Sequence, residues 1–229
     1  MIPGLEPIPV TRPLQIGDCL TWVTKQPDWM RKVLIGGLWS LASLTLVALP
    51  VVVGYCVRIV RAGFAQTSLP GWDRLGEMYR EGLLISAIWL AHWGPFAVAV
   101  WAALRVGLVP RGDPHDNPGV FLVLCLCGTL GVLAVAFYVN AILLRMIVLR
   151  NIHAAVQVGE NAAFVRRNLP NFGRLLLLLV PANWIGQASC CLCGVGVFPG
   201  TFWVACTFNY ALGQIGHCDI YLSREVEAA

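Results

Sequence analysis

From Leu175 to Cys218 the chain runs 44 residues without an Asp, Glu, Lys or Arg, about twice the roughly 20 residues that a bilayer-spanning helix needs. Three further charge-free stretches precede it, Val33 to Val57, Gly82 to Leu104 and Asn117 to Leu144. No water-soluble core uses so much apolar surface. Charged residues make up 12% of the chain, against about 25% in soluble proteins, and the mean hydropathy is +0.71. The pattern predicts an all-α, polytopic transmembrane helical bundle of five spans, at 33–60, 82–108, 120–149, 172–193 and 197–222. The 229 residues leave no room for a separate soluble domain of ordinary size, so 1–229 reads as one membrane domain.

Residues 1–12 read as a flexible start with neither the basic opening nor the apolar run of a secretory signal. Residues 13–31 read as an amphipathic interfacial helix. Ile16, Leu20 and Val23 share one face, and Trp22 and Trp29 suit the headgroup zone. Pro27 and Asp28 suit the opening turn of the next helix, near Trp29. Pro50 predicts a kink in the first span. Leu69-Pro70-Gly71 predicts a turn, and Trp72 to Arg80 a short interfacial helix. Residues 110–119, rich in Pro, Gly and Asp, predict an exposed loop. The helix of mixed polarity after Leu149 is expected to break at Pro170. Long helix, amphipathic element and return helix thus occur at 33–108 and again at 120–193, a weak repeat of plan without a repeat of letters.

Charge sets the orientation. Ten Lys and Arg residues follow spans one, three and five, and six fall on the other side. The positive-inside rule then places both amphipathic elements and Arg224 in the cytoplasm. That count leaves the basic segment Lys25 to Lys32 outside. A first segment that is short or re-entrant, bent near Pro50, would bring both its flanks inside. The net charge of +4, gathered beside apolar spans, points to anionic lipid as electrostatic partner and away from nucleic acid.

Nine cysteines are present, and the pattern CLC occurs at Cys125 to Cys127 and at Cys191 to Cys193, beside Cys190. Metal sites come with CxxC-type spacing and supporting His or carboxylate, so packing is the expected role and no metal or cofactor is expected. No zincin, nucleophile-elbow or phosphate-loop motif occurs in a fitting context, and the chain reads as a non-enzyme. His92, beside Trp93 and before Gly94-Pro95, fits a hydrogen bond to a backbone carbonyl better than a pigment ligand. Asn140, Arg145, Asn183, Asn209 and Gln214 are polar groups in or at the ends of the spans. They are expected to join helices by hydrogen bonds or, on a carrier reading, to line a path. Arg150, His153, Arg166, Arg167 and Arg174 form a candidate headgroup-binding cluster. Gly128 with Gly131, Gly194 with Gly196, and Gly213 with Gly216 leave small-residue faces for helix packing, self-association or another membrane protein.

PDWMRKVLIGGLWSL, GYCVRIVRAG with SLPGWDRLGEMYREGLL, and FPGTFWVACTFNYALGQIG resemble the domain of unknown function 4013 family, small integral membrane proteins of bacteria and archaea. The likeness covers residues 20–220 and rests on Gly54-Tyr55, Leu69-Pro70 with Trp72, Gly82, Pro199 and Gln214. It implies a helical membrane fold and no activity. A more distant likeness in layout is to membrane domains that precede some glycerophosphodiester phosphodiesterases. The functional expectation is a non-enzymatic accessory or scaffold subunit of the inner membrane that organises lipid or a larger complex. The alternative is a small carrier or channel for a lipid or apolar solute.

Overall fold

The computed structural model describes residues 11–106, 118–189, 196–219, 222, 223 and 226. Residues 1–10 of the expected flexible start at 1–12, most of the loop at 110–119 and the cysteines at 190, 191 and 193 lie outside them, as do Gly194, Arg111 and Arg224.

The all-α class forms as expected, with seven α-helices among the described residues. These are α1 (Ile16–Trp22), α2 (Trp29–Ala42), α3 (Leu49–Ala65), α4 (Leu75–Val106), α5 (Pro118–Leu149), α6 (Val158–Ala188) and α7 (Val197–Cys218). Two of them, α4 over Leu75–Ala99 and α5 over Gly128–Leu149, are long and apolar enough to cross a membrane.

The expected first span is a helical hairpin. A one-turn 3-10 helix, Ser43–Thr45, follows α2, and Leu46 at φ 62° turns the chain. Pro50 is not a kink: it sits in the first turn of α3, where its missing N–H costs no hydrogen bond. At about 1.5 Å per residue the 14 residues of α2 and the 17 of α3 are each shorter than a bilayer core of about 30 Å. The two ends of the hairpin meet again. Lys32 Nζ donates to Leu69 O at 2.7 Å, and the Leu69 N–H donates to Gln26 Oε1 at 3.3 Å.

Two other expected breaks are absent. The interfacial piece at 72–80 is the first turns of α4, and helix continues through Pro170 and Pro181, so the mixed-polarity segment and the fourth span form the single helix α6. Pro170 lies on the exposed side of α6, where a bend disturbs no packing. The two halves therefore share the fusion of an amphipathic start to a long helix, while the hairpin at 29–65 has no counterpart in α5.

The segment at 13–31 packs part of its apolar surface into the bundle. Only α1 is helical in it before Trp29; Leu14, Cys19, Trp22 and Val23 are buried, and Trp22 stacks on Tyr210 with ring centroids 3.8 Å apart. Thr11 pairs with Asp219, and Arg12 N–H donates to Cys218 O at 3.1 Å. The start of the described chain and the end of α7 thus share one end of the bundle. Where five straight spans are expected, the described residues form the hairpin followed by four helices, α4 to α7.

Close backbone contacts lock this arrangement. A Cβ at Gly54 would overlap the Met78 carbonyl, and one at Gly82 the Pro50 carbonyl, so α3 and α4 touch main chain to main chain. Gly213 sits equally close to Val60 O, joining α3 to α7. Gly128 and Gly131 on α5 face open space.

Candidate functional site

The positions carrying the family likeness gather where the hairpin, α4 and α7 meet. Tyr55 stacks on Trp72 at 3.9 Å and donates its hydroxyl to Pro70 O at 2.8 Å. Trp72 Nε1 donates to Lys32 O at 3.0 Å. Phe202 completes the cluster, its ring over Gly36 and 5.5 Å from that of Tyr55. Pro199 meets Gly37, and Gln214 Nε2 donates to Gly63 O at 2.8 Å. This is architecture: it fixes the loop between α3 and α4 against the start of α2.

A second set of polar groups is also structural. Asp219 is fully buried, accepts from Asn168 Nδ2 at 2.5 Å and Arg167 Nε at 3.4 Å, and takes the Leu222 N–H on its other oxygen at 3.2 Å. Asn171 accepts from Leu14 N and donates to Arg12 O, at 3.0 and 2.9 Å. These bonds strap both the segment before α1 and the end of α7 to the middle of α6. Arg145 is 3% exposed and donates to Asn161 Oδ1 and Gln157 Oε1, at 3.0 and 3.3 Å. Asn161 in turn holds Ala154 O at 2.9 Å, pinning the one-turn 3-10 helix Ile152–Val156.

The third set forms an open groove of about 900 Å³ at the same end of the bundle, between α3, α4 and the residues after α5. Val57, Ile85 and Met146 give it an apolar floor. Its walls carry Arg61, Arg74, Arg80 and Arg150, with His153, against Glu77 and Glu81. Arg61 Nη1 meets Glu81 Oε1 at 2.8 Å, and Glu77 is shared between Arg58 at 3.6 Å and Arg74 at 3.7 Å. Arg80 and Arg150 have no carboxylate within pairing distance among the described residues, and both are exposed. The two unpaired guanidiniums face a groove that opens at the level where α4 loses its charges, just before Gly82.

The expected headgroup cluster therefore divides. Arg150 and His153 line the groove, Arg167 is tied to Asp219, and Arg166 and Arg174 lie elsewhere on α6. The expected polar path divides too. His92 Nδ1 lies 2.8 Å from Ile88 O, and not on the carbonyl freed by Pro95. Asn140 donates to Ala136 O, Asn183 to Leu179 O and Asn209 to Ala205 O, each at 2.8 Å and each within its own helix. Of the predicted interhelical bonds, Gln214 makes one, and Arg145 joins α5 to α6. Arg61, Arg74, Arg80, Glu77 and Glu81 were not singled out as a site by sequence. Their signal was the spacing Arg58-x-x-Arg61 opposite Glu77-x-x-x-Glu81, two short periodic runs that face each other across a helix pair.

Among the described residues no three His, Cys, Asp or Glu side chains are grouped to hold a metal. Of the CLC sets, the side chains of Cys125 and Cys127 and all of Cys191 to Cys193 lie outside the described residues. Cys19, in α1, is a free thiol; burial, with the Asp18 charge beside it, pushes its pKa up to about 12.

No curated protein and no solved structure matches the chain. The model of the family described as "Protein of unknown function (DUF4013)" matches residues 38–195, from the hairpin to beyond α6. The matched stretch contains the hairpin turn, the Tyr55–Trp72 stack, both faces of the Gly54 and Gly82 contacts and all the groove-lining side chains, while Pro199 and Gln214 fall beyond it. The chain belongs to the DUF4013 family.

Proposed function

We propose that the chain is an integral protein of the inner, cytoplasmic membrane that performs no chemistry of its own. It acts as an accessory or scaffold subunit, organising lipid or a larger membrane complex from a basic cytoplasmic face. The hairpin α2–α3 enters and leaves on that face, and α4 to α7 cross.

The observation that supports this reading is a bundle with one basic end and an apolar outside. Leu38, Leu46, Leu90 and Trp184 are 67%, 74%, 65% and 76% exposed, on the hairpin, α4 and α6. Soluble monomers rarely expose contiguous apolar patches of more than a few hundred Å². Arg105 is the one described arginine or lysine at the far end. The hairpin tip suits hydrocarbon: Ser40, Ser43 and Thr45 turn their hydroxyls back to Gly36 O, Ser40 O and Ala42 O, so no polar side chain at the tip lacks a partner. The open face of Gly128 and Gly131 on α5 is a place for a second copy or another membrane protein.

The alternative, a small carrier or channel for a lipid or apolar solute, has less support, because Asn140, Asn183 and Asn209 bond within their own helices. Purification from native membrane under lipid-preserving conditions, with mass spectrometry of every stoichiometric companion, tests the choice. A protein partner or an enriched lipid supports the scaffold. A lipid-free, partner-free monomer that conducts solute overturns it.

A further inference from the structure

We propose that the groove between α3, α4 and the end of α5 binds the phosphodiester of an anionic phospholipid in the cytoplasmic leaflet, with Arg80 and Arg150 as its principal contacts. The inference rests on the membrane reading above and names the ligand class of its basic face.

Charge balance gives the sign of the ligand. Glu77 and Glu81 are already met by Arg58, Arg61 and Arg74, while Arg80 and Arg150, on different walls, have no carboxylate partner among the described residues. Two guanidiniums across one opening present forked donors to a tetrahedral anion, the geometry that favours arginine over lysine at phosphates. The backbone contributes to this arrangement. Arg150 follows α5 with φ 52°, and Arg74 precedes α4 with φ 55°, left-handed positions that glycine or asparagine ordinarily takes. A glycine at either position would remove one of the groove's four arginines.

The floor identifies the rest of the molecule. Val57, Ile85 and Met146 under the charged walls give a soluble phosphate ester nothing to bind, but suit the glycerol backbone and first methylenes of a lipid. The exit is apolar as well: Leu83 and Leu84, 53% and 42% exposed, continue the surface along α4 away from Arg80. A phosphate held by Arg80 and Arg150 would thus sit at headgroup depth with its acyl chains beside α4.

The test uses the full chain in neutral detergent, with phosphatidylglycerol or phosphatidylcholine added and retained lipid counted by native mass spectrometry. The wild type is expected to retain phosphatidylglycerol over phosphatidylcholine. The exposed pair Arg80→Gln/Arg150→Gln is expected to weaken retention about thirtyfold, from the usual contribution of two arginines near an anionic surface. The pair Arg31→Gln/Arg166→Gln removes the same charge from exposed positions outside the groove and is expected to change retention by no more than about twofold. Equal losses in both pairs, or none in the groove pair, overturn the site. Displacement of the lipid by an equal concentration of glycerol phosphate overturns the lipid assignment in favour of a soluble phosphate ester. Failure of the membrane reading itself is read separately, as wild-type protein that remains in the soluble fraction when cells are broken.

Discussion

Thr11 and Asp219 pair through their backbones, and this pairing brings the two sides of α1 and α7 to a single face. With six helices running alternately up and down from α2 to α7, the chain returns to the face from which it started. Lys32, which reaches Leu69 O, then lies at the same end of the bundle as Arg61, Arg80 and Arg150, and the topology proposed above carries this positive charge on one membrane face.

The contact of α3 with α4 sets the first prediction. Gly82→Ala places a methyl on the Pro50 carbonyl and is expected to destabilise the fold by about 2–4 kcal/mol, since main chain cannot move aside as a side chain can. Gly128→Ala, with open space around it, is expected to be neutral or stabilising by up to about 1 kcal/mol from helix propensity. Thermal unfolding in detergent compares the two.

Asp219→Ala removes the acceptor that holds Asn168, Arg167 and the Leu222 N–H. A loss of about 2–3 kcal/mol is expected, less than for a fully buried ion pair because Arg167 is 27% exposed. Release of the strap should show as faster tryptic cleavage after Lys25, whereas an unchanged digestion pattern would contradict the role given to Asp219.

Cys19 gives a pH dependence. Its folded-state pKa lies near 12, above the ordinary 9.0, so the folded chain keeps a proton that the unfolded chain loses. The stability this contributes is complete below pH 9.0 and falls as pH rises towards 12. Cys19→Ala should flatten that alkaline loss in a stability-versus-pH series. In the wild type, alkylation of Cys19 at pH 8 should be slow until denaturant is added.

Asn140→Leu and Asn209→Leu test the carrier alternative. Their amides bond Ala136 O and Ala205 O four residues back in the same helix, so stability is expected to change by less than about 0.5 kcal/mol and any measured flux not at all. A flux that falls with either variant would favour the carrier.

Much of the helical content was legible because charge marks its limits. α5 begins and ends close to the edges of a charge-free run, α7 ends at the edge of one, and Pro27-Asp28 marks the start of α2. The charge count raised a re-entrant first segment, but the place of its turn was not legible, because Ser43 to Leu46 holds no Gly, Pro, Asn or Asp. The reversal uses Leu46 at positive φ, a residue type that gives no turn signal. Pro50 then looked like a mid-helix kink although it opens α3. Trp22 looked like an interface anchor because its partner Tyr210 lies 188 positions away. The groove was half visible, through Arg150 and His153; Arg61 and Arg80 join them only once α3 packs on α4.

The most direct test of the account is the accessibility of single cysteines to a membrane-impermeant maleimide, applied to intact cells and to inverted membrane vesicles, above the background of the native thiols. Thr24→Cys, before α2, Leu46→Cys, at the hairpin tip, and Thr67→Cys, after α3, report on the three parts of the hairpin. The account predicts that Thr24→Cys and Thr67→Cys react only in inverted vesicles and that Leu46→Cys reacts in neither. Reaction of Thr24→Cys in intact cells with Thr67→Cys still confined to inverted vesicles would mean a single crossing between them, and would contradict the re-entrant hairpin and the single basic face.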